Sequence, residues 1–289
     1  MDRKRRPKLH PTRDGSHTLF SEEAGQFYHN PNGAVEESRH VFFDIGGVMA
    51  ALKAGRPIHV FETGFGTGLN LLLLDDALAA HPEHAAPVSF TSVEAYPISE
   101  ETARSLNYGR FLIHPDRMEA VAAAFAGCKP GWNAVRWPSK IDVRIWVGDG
   151  RDVGVDCACM DVRVDCVDPR ATHRQDRARA TRPYTHFFHD PFSIEASPEL
   201  WSEAMFARLR SMAAADALLS TYAAASKARA AMAAAGWCVA RAPGALGKRE
   251  MTLASPSAEA LAGYPRVDET RLVARLRRGD FDAPSSSGS

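Results

Sequence analysis

The feature that most constrains this chain is a glycine-dense loop set between an apolar run and a helical segment. Residues 57–62 (PIHVFE) are mostly apolar and run into Glu62-Thr63-Gly64-Phe65-Gly66-Thr67-Gly68, after which residues 68–81 read as a helix. Strand, glycine loop and helix in that order form the context in which such a loop holds a ligand. Gly64, Gly66 and Gly68 let the backbone turn tightly and approach a ligand with no Cβ in the way. The helix that follows points free N–H groups toward the same place.

The rest of the chain repeats this alternation. Residues 88–94 (VSFTSVE), 141–147 (IDVRIWV), 184–189 (YTHFFH) and 218–222 read as strands, with two more over 237–240 and 250–254. Helical segments fall at 99–106, 117–126, 198–215 and 224–235, the third opened by Ser197 and Pro198 as N-cap and first-turn residues. Strands separated by helices of this length predict an α/β fold with a doubly wound, mostly parallel sheet. Residues 1–18 are polar and basic and read as a flexible arm, residues 19–282 as the folded domain, and residues 283–289 as a disordered tail. Residues 154–183 lack periodicity and read as an inserted loop within that domain.

Composition narrows the partners. The 289 residues carry 35 basic and 35 acidic side chains, so a nucleic acid would have to be held by local patches and not by overall charge. No signal peptide and no long apolar stretch is visible, which predicts a cytoplasmic protein with reduced thiols and no membrane span. Cys157, Cys159 and Cys166, with Asp161 and His173, miss the spacing of a zinc knuckle, and no metal is expected. The sequence carries no signal for an oligomeric state.

The loop spacing is Gly-x-Gly-x-Gly, with no phosphate-loop lysine and no Lys or Arg nearby, so a pyrophosphate cofactor such as a nicotinamide dinucleotide is disfavoured. Three acids stand at the ends of consecutive strands, where a doubly wound sheet opens its ligand crevice. Glu62 suits a cationic cofactor end, Glu94 a pair of ribose hydroxyls, and Asp149, in Gly148-Asp149-Gly150, an adenine amino group. This set predicts a nucleoside cofactor with a positive tail, and S-adenosylmethionine meets that description.

His189-Asp190-Pro191-Phe192 follows the fourth strand. A carboxylate and carbonyls there can accept hydrogen bonds from an amine and take its proton, and Phe192 can line the acceptor site. The competing reading is an ordinary Asp-Pro turn with Phe192 plugging the core. Asp190 and Asp149 are the candidate catalytic carboxylates. His189, amid aromatic residues, reads as packing.

Four ordered motifs carry a family resemblance. Phe27-Tyr28-His29 with the segment from Gly33 to Phe42, the loop extended to Leu69-Asn70, Asp190-Pro191-Phe192-Ser193 with Ala196-Ser197-Pro198-Glu199-Leu200-Trp201, and Gly247-Lys248-Arg249-Glu250-Met251 together resemble the methyltransferase domain of MnmC and its stand-alone relative MnmD. The resemblance covers residues 20–255 and departs from the family at Pro191, at Ala196 and in the 154–183 insertion. It implies a Rossmann-like class I methyltransferase sheet with an antiparallel C-terminal strand. It also implies S-adenosylmethionine held by Glu62, Gly64, Phe65, Gly66, Thr67, Gly68, Asn70, Glu94, Gly148 and Asp149. The activity implied is methylation of the 5-aminomethyl group of wobble (2-thio)uridine in tRNA, without the oxidoreductase half of bifunctional relatives. Phe192, Lys248 and Arg249 would meet the tRNA substrate. Open alternatives are a methyltransferase of another amine, or a non-catalytic relative that binds the cofactor or RNA. The arginines at 170, 174, 177, 179 and 182, and the basic residues 3–8, read equally as phosphate contacts or solvated charge.

Overall fold

The computed structural model describes residues 6–153 and 183–281. The expected insertion, the tail and the three clustered cysteines therefore lie outside the described residues. The chain opens with a small antiparallel sheet of β1 (Lys8–Pro11), β2 (His17–Ser21) and β3 (Gln26–Phe27). Residues 8–18, assigned to a basic arm on composition, thus form β1, the β1–β2 turn and the start of β2. Leu19 is fully buried on one side of β2, and Thr12, Asp14 and Ser16 knit the β1–β2 turn through their side chains. A four-residue strand carrying lysine, histidine and proline offers too little alternation to be read from sequence.

Helix α1 (Ala34–Ser38) passes directly into a π-helix over Arg39–Ile45, then α2 (Val48–Lys53) follows. β4 (Ile58–Thr63), α3 (Leu69–Ala79), β5 (Val88–Glu94), α4 (Glu100–Ser105) and α5 (Arg117–Gly127) form the first strand–helix alternations. Ser99 caps α4 by accepting from the Thr102 N–H. β6 (Gly131–Val135) and β7 (Ile141–Val147) make a hairpin, and β8 (Tyr184–His189), α6 (Glu203–Ser211), β9 (Ala213–Thr221) and α7 (Ser226–Ala234) continue the alternation. β10 (Cys238–Pro243), β11 (Glu250–Ser255) and α8 (Glu269–Arg277) close the described chain.

The large sheet has the order β10-β11-β9-β8-β4-β5-β7-β6. The five central strands β9, β8, β4, β5 and β7 are parallel, and antiparallel pairs flank them on both sides. The helix expected over 198–215 is shorter: the alanines after Met212, good helix formers, are drawn into β9 by pairing of Ala213 with Tyr184. Hydrophobic layers cover both faces. Phe90 and Phe188 pack among the leucines of α3 on one face, and Phe61, Phe187, Trp237 and Phe206 on the other. β4 is buried along its whole length, as a central parallel strand must be. The chain winds outward from β4 in one direction through β5 and β7, then returns to lay β8 on its other side. The carboxyl ends of β4 and β8 therefore form the switch point where a ligand crevice opens. Among the described residues no helix is long and apolar enough to cross a membrane.

Candidate functional site

A cavity of about 1110 Å³ opens at that switch point. Its walls include the glycine loop after β4, the end of β5, the turn after β8 and the N-terminal sheet. Of the residues expected from sequence, Gly64, Phe65, Gly66, Asn70, Glu94, Gly148, Asp190, Phe192 and Lys248 line it. Glu62, Thr67, Gly68, Asp149 and Arg249 do not.

The glycine loop is held close to the opposite wall. Gly64 has φ +91°, and a Cβ there would lie 3.0 Å from the Asp190 carbonyl oxygen. The loop's shape is fixed from below, since the Gly64 and Phe65 N–H groups both donate to the Val93 carbonyl. Glu94 accepts from the Gly66 N–H at 2.8 Å through one oxygen and from the Tyr96 N–H at 2.8 Å through the other. Burial raises the Glu94 carboxyl above its ordinary value, and the backbone N–H groups oppose the rise.

Beneath the loop lie two acids, Glu62 fully buried and Asp190 part-buried at the cavity wall. Asn70, at the start of α3, donates one N–H to Glu62 Oε1 at 2.9 Å and the other to Asp190 Oδ2 at 3.3 Å. Ser92 donates to the second Glu62 oxygen at 2.6 Å. Glu62 is therefore a support under the floor, with its carboxyl pushed up to about 8 by burial against the pull of Ser92 and Asn70. Asp190 is raised well above the ordinary carboxyl value by burial first and by Glu62 and Glu37 next, with Asn70 and Lys248 opposing. Two carboxyls linked through one amide in a dry site cannot both ionise freely.

The turn after β8 is pinned from several sides. The Asp190 N–H donates to the Thr63 carbonyl, Tyr222 donates its hydroxyl hydrogen to the Pro191 carbonyl at 2.8 Å, and Trp201 donates its indole N–H to the Phe192 carbonyl at 2.8 Å. Gln26 of β3 both donates to Ser193 Oγ at 2.6 Å and accepts from the Ser193 N–H at 3.0 Å. Phe192 meets the Tyr28 ring edge-on at 5.1 Å. His189 is fully buried between the rings of Trp201 and Phe206, in agreement with a packing role.

Other expected residues sit elsewhere. Asp149 turns its carboxylate to its neighbour Arg151, whose guanidinium contacts both oxygens and holds the acid below its usual range. Thr67 lies under the loop, within 2.7 Å of His29 Nε2, and accepts from the Tyr108 hydroxyl at 3.2 Å. Gly68 packs against Val121 and Phe65. Lys248 reaches Glu37 at 2.7 Å, while Glu250 pairs with Arg229 and Arg241. Tyr28, His29, Gln26 and Tyr222, which also line the cavity, are not singled out as site residues by the sequence. For Tyr28 and His29 the available signal is the first family motif; Gln26 and Tyr222 belong to no motif.

The donor set fits a sulfonium cofactor. Glu23, Glu37, Glu94, Asp190 and Glu199 line the cavity, against the two cations Arg6 and Lys248, which are paired with Glu101 and Glu37. An acidic cavity suits a positively charged ligand and would repel a polyphosphate. Among the described residues no group of three or more His, Cys, Asp or Glu could hold a metal ion.

Comparison with known proteins bears on the same region. A family described as S-adenosyl-L-methionine-dependent methyltransferase matches residues 118–257. The chain is 32% identical over 241 residues to the tRNA 5-methylaminomethyl-2-thiouridine biosynthesis bifunctional protein MnmC of Aromatoleum aromaticum, covering 83% of this chain and 34% of that protein. It is 28% identical over 285 residues to the MnmC protein of the same description from Ralstonia nicotianae, covering 96% of this chain and 36% of that one. The chain thus spans about a third of the length of the curated relatives it matches. Its fold is that of MNMC2 from Aquifex aeolicus, with a TM-score of 0.66 at 21% identity over 96% of this chain and 77% of that one. The chain thus resembles S-adenosyl-L-methionine-dependent methyltransferases over residues 118–257 and the MnmC proteins over most of its own length.

Proposed function

We propose that the protein transfers the methyl group of S-adenosylmethionine to the 5-aminomethyl group of wobble uridine or 2-thiouridine in tRNA, giving the 5-methylaminomethyl product. The observation that carries this reading is the Asp190 carboxyl at the cavity wall, oriented by Asn70, with the Asp190 backbone set against the glycine loop. The likeness to the tRNA 5-methylaminomethyl-2-thiouridine biosynthesis proteins supports the acceptor, and the acidic cavity supports an amine in particular.

The cofactor, when bound, supplies a methyl group already activated by its sulfonium. The glycine loop and Glu94 would hold it, with Glu62 acting through Asn70 and not by direct contact. Asp149 would reach an adenine only by releasing Arg151. An aliphatic amine arrives as an ammonium and must lose a proton before its lone pair can attack. Asp190 would take that proton in its ionised form, and its surroundings, which raise the carboxyl's affinity for a proton, make that carboxylate a stronger base. Phe192 and Tyr28 would bound the uracil face, and an extruded base would reach them. Lys248 and Arg249, beside the cavity and its neighbouring hollow, would meet the nucleotide's backbone. Such a reaction belongs in the cytoplasm, and residues 19–282 would form its catalytic domain.

Mass spectrometry of nucleosides from tRNA incubated with S-adenosylmethionine tests the reading. A 14-dalton gain on 5-aminomethyl(-2-thio)uridine is expected, and none on tRNA lacking the aminomethyl group. Transfer to both tRNAs alike, or to neither, would overturn it.

A further inference from the structure

Where Lys248 sits is chemically pointed. Its ammonium lies 2.7 Å from Glu37 Oε1 and 5.2 Å from the centroid of the Tyr222 ring. A carboxylate combined with an aromatic face is the arrangement by which proteins hold alkylammonium ions. Both groups are fixed independently of the lysine. Asn30 donates to Glu37 from its backbone at 3.3 Å and from its side-chain amide at 3.1 Å, and Tyr222 is tied to the Pro191 carbonyl at 2.8 Å, one residue from Asp190. The lysine is the more exposed partner: its side chain is 42% exposed, that of Glu37 only 12%.

The turn that presents Lys248 is unusual in its own right. Leu246 has φ +51°, the single non-glycine residue with positive φ among those described, and Gly247 follows at φ +81°. A Cβ on Gly244 would run into the Lys248 backbone carbonyl. Side-chain-bearing residues adopt such a conformation at a cost, and it persists where the surroundings impose it. Lys248 also stands at a doorway. With Ser193 and Tyr222 it borders both the main cavity and a neighbouring hollow of about 570 Å³, which Arg249 also lines.

We propose that Glu37 and the Tyr222 ring form the subsite for the primary ammonium of the methyl acceptor, and that the Lys248 ammonium occupies it as a placeholder which the acceptor displaces. The proposal rests on the amine-methylation reading above and adds to it the site where the amine docks. One ammonium replaces another, so the cavity's charge is unchanged by the exchange. A neutral group in place of the amine has no means of dislodging the lysine, which makes the pair a filter for charged amines. Once released, Lys248 turns with Arg249 toward the outer hollow, where the acceptor's phosphates would neutralise it.

Calorimetry on the full chain saturated with S-adenosylhomocysteine, titrated with propylammonium chloride, tests the subsite without any methyl transfer. Lys248→Met is expected to bind propylammonium about tenfold more tightly than the wild type, as the cradle loses its internal occupant. Adding Glu37→Gln to that variant is expected to abolish the gain. Lys248→Gln serves the same purpose should the methionine variant misfold. An unchanged affinity on removing the lysine, or a gain that survives Glu37→Gln, would overturn the proposal. Failure of the tRNA reaction is a separate result, read from the wild-type nucleosides and not from propylammonium binding.

Discussion

The two halves of the cavity are built differently. The cofactor half comes from the ends of adjacent parallel strands, β4 and β5, and from the loop between β4 and α3, so 33 residues from Glu62 to Glu94 supply most of it. The acceptor half is gathered from β3, α1, the turn after β8, the end of β9 and the turn before β11. The first is positioned by backbone geometry and a few short-range hydrogen bonds. The second depends on side chains bridging segments that lie far apart along the chain. Strand-end sites survive changes at a distance, whereas an assembled wall fails when any contributor shifts.

Asp190→Ala is the sharpest way to separate the halves. It is expected to lower methyl transfer by about a thousandfold, the range for loss of a positioned acid–base group, while calorimetry finds S-adenosylhomocysteine bound nearly as before. Equal losses in both would merge the two halves into one. Glu94→Ala should do the reverse. Losing a charged hydrogen-bond partner of the loop should weaken cofactor binding by about ten- to a hundredfold, with a much smaller change in kcat at saturating cofactor.

Gly64→Ala strikes the seam, because its Cβ would crowd the Asp190 carbonyl from a backbone angle of +91°. A stability loss of about 1–3 kcal/mol by denaturant unfolding is expected, with cofactor affinity and turnover falling together.

Glu62 gives a pH test. Its folded value of about 8 lies above the ordinary 4.5, so between those limits the folded chain keeps a proton the unfolded chain releases. Stability therefore falls as pH rises through that window. Glu62→Gln should flatten the fall and raise the melting temperature more at pH 8 than at pH 5. Asp149→Ala carries the smallest expectation: cofactor affinity should change by less than about threefold, since the carboxylate is engaged by Arg151. A larger loss would return Asp149 to the adenine role expected from its place after β7.

The same contrast explains what could be read from the sequence. The central strands were legible because parallel, doubly covered strands are apolar runs that end at glycines and acids, as in β4, β5 and β8. The antiparallel edge strand β6, with Gly131, Asn133 and one exposed face, gave no such run. The π-helix over Arg39–Ile45 has no periodic signature apart from an ordinary helix. Glu94 and Asp190 line the cavity, and their placement is legible because strand ends in this topology face one crevice. Glu62 was placed in the cavity when it lies beneath it, since sequence gives the strand but not how Asn70 and Ser92 turn the side chain down. Asp149 is a strand-end acid whose carboxylate meets an arginine two residues on, a contact that strand position does not reveal. Gln26 and Tyr222 were invisible because their significance exists only when the Pro191–Ser193 turn comes to meet them.

The bridge between Gln26 and Ser193 spans 167 positions of the chain. A ribosome that has released the first half of the protein has made the glycine loop, Glu62 and Glu94, but not the turn after β8 that faces them. Until the turn after β8 emerges and docks, the nascent chain has no enclosed place for a nucleoside. Competence therefore arrives late in synthesis and all at once, and a product truncated before β8 would be inert and not merely slow.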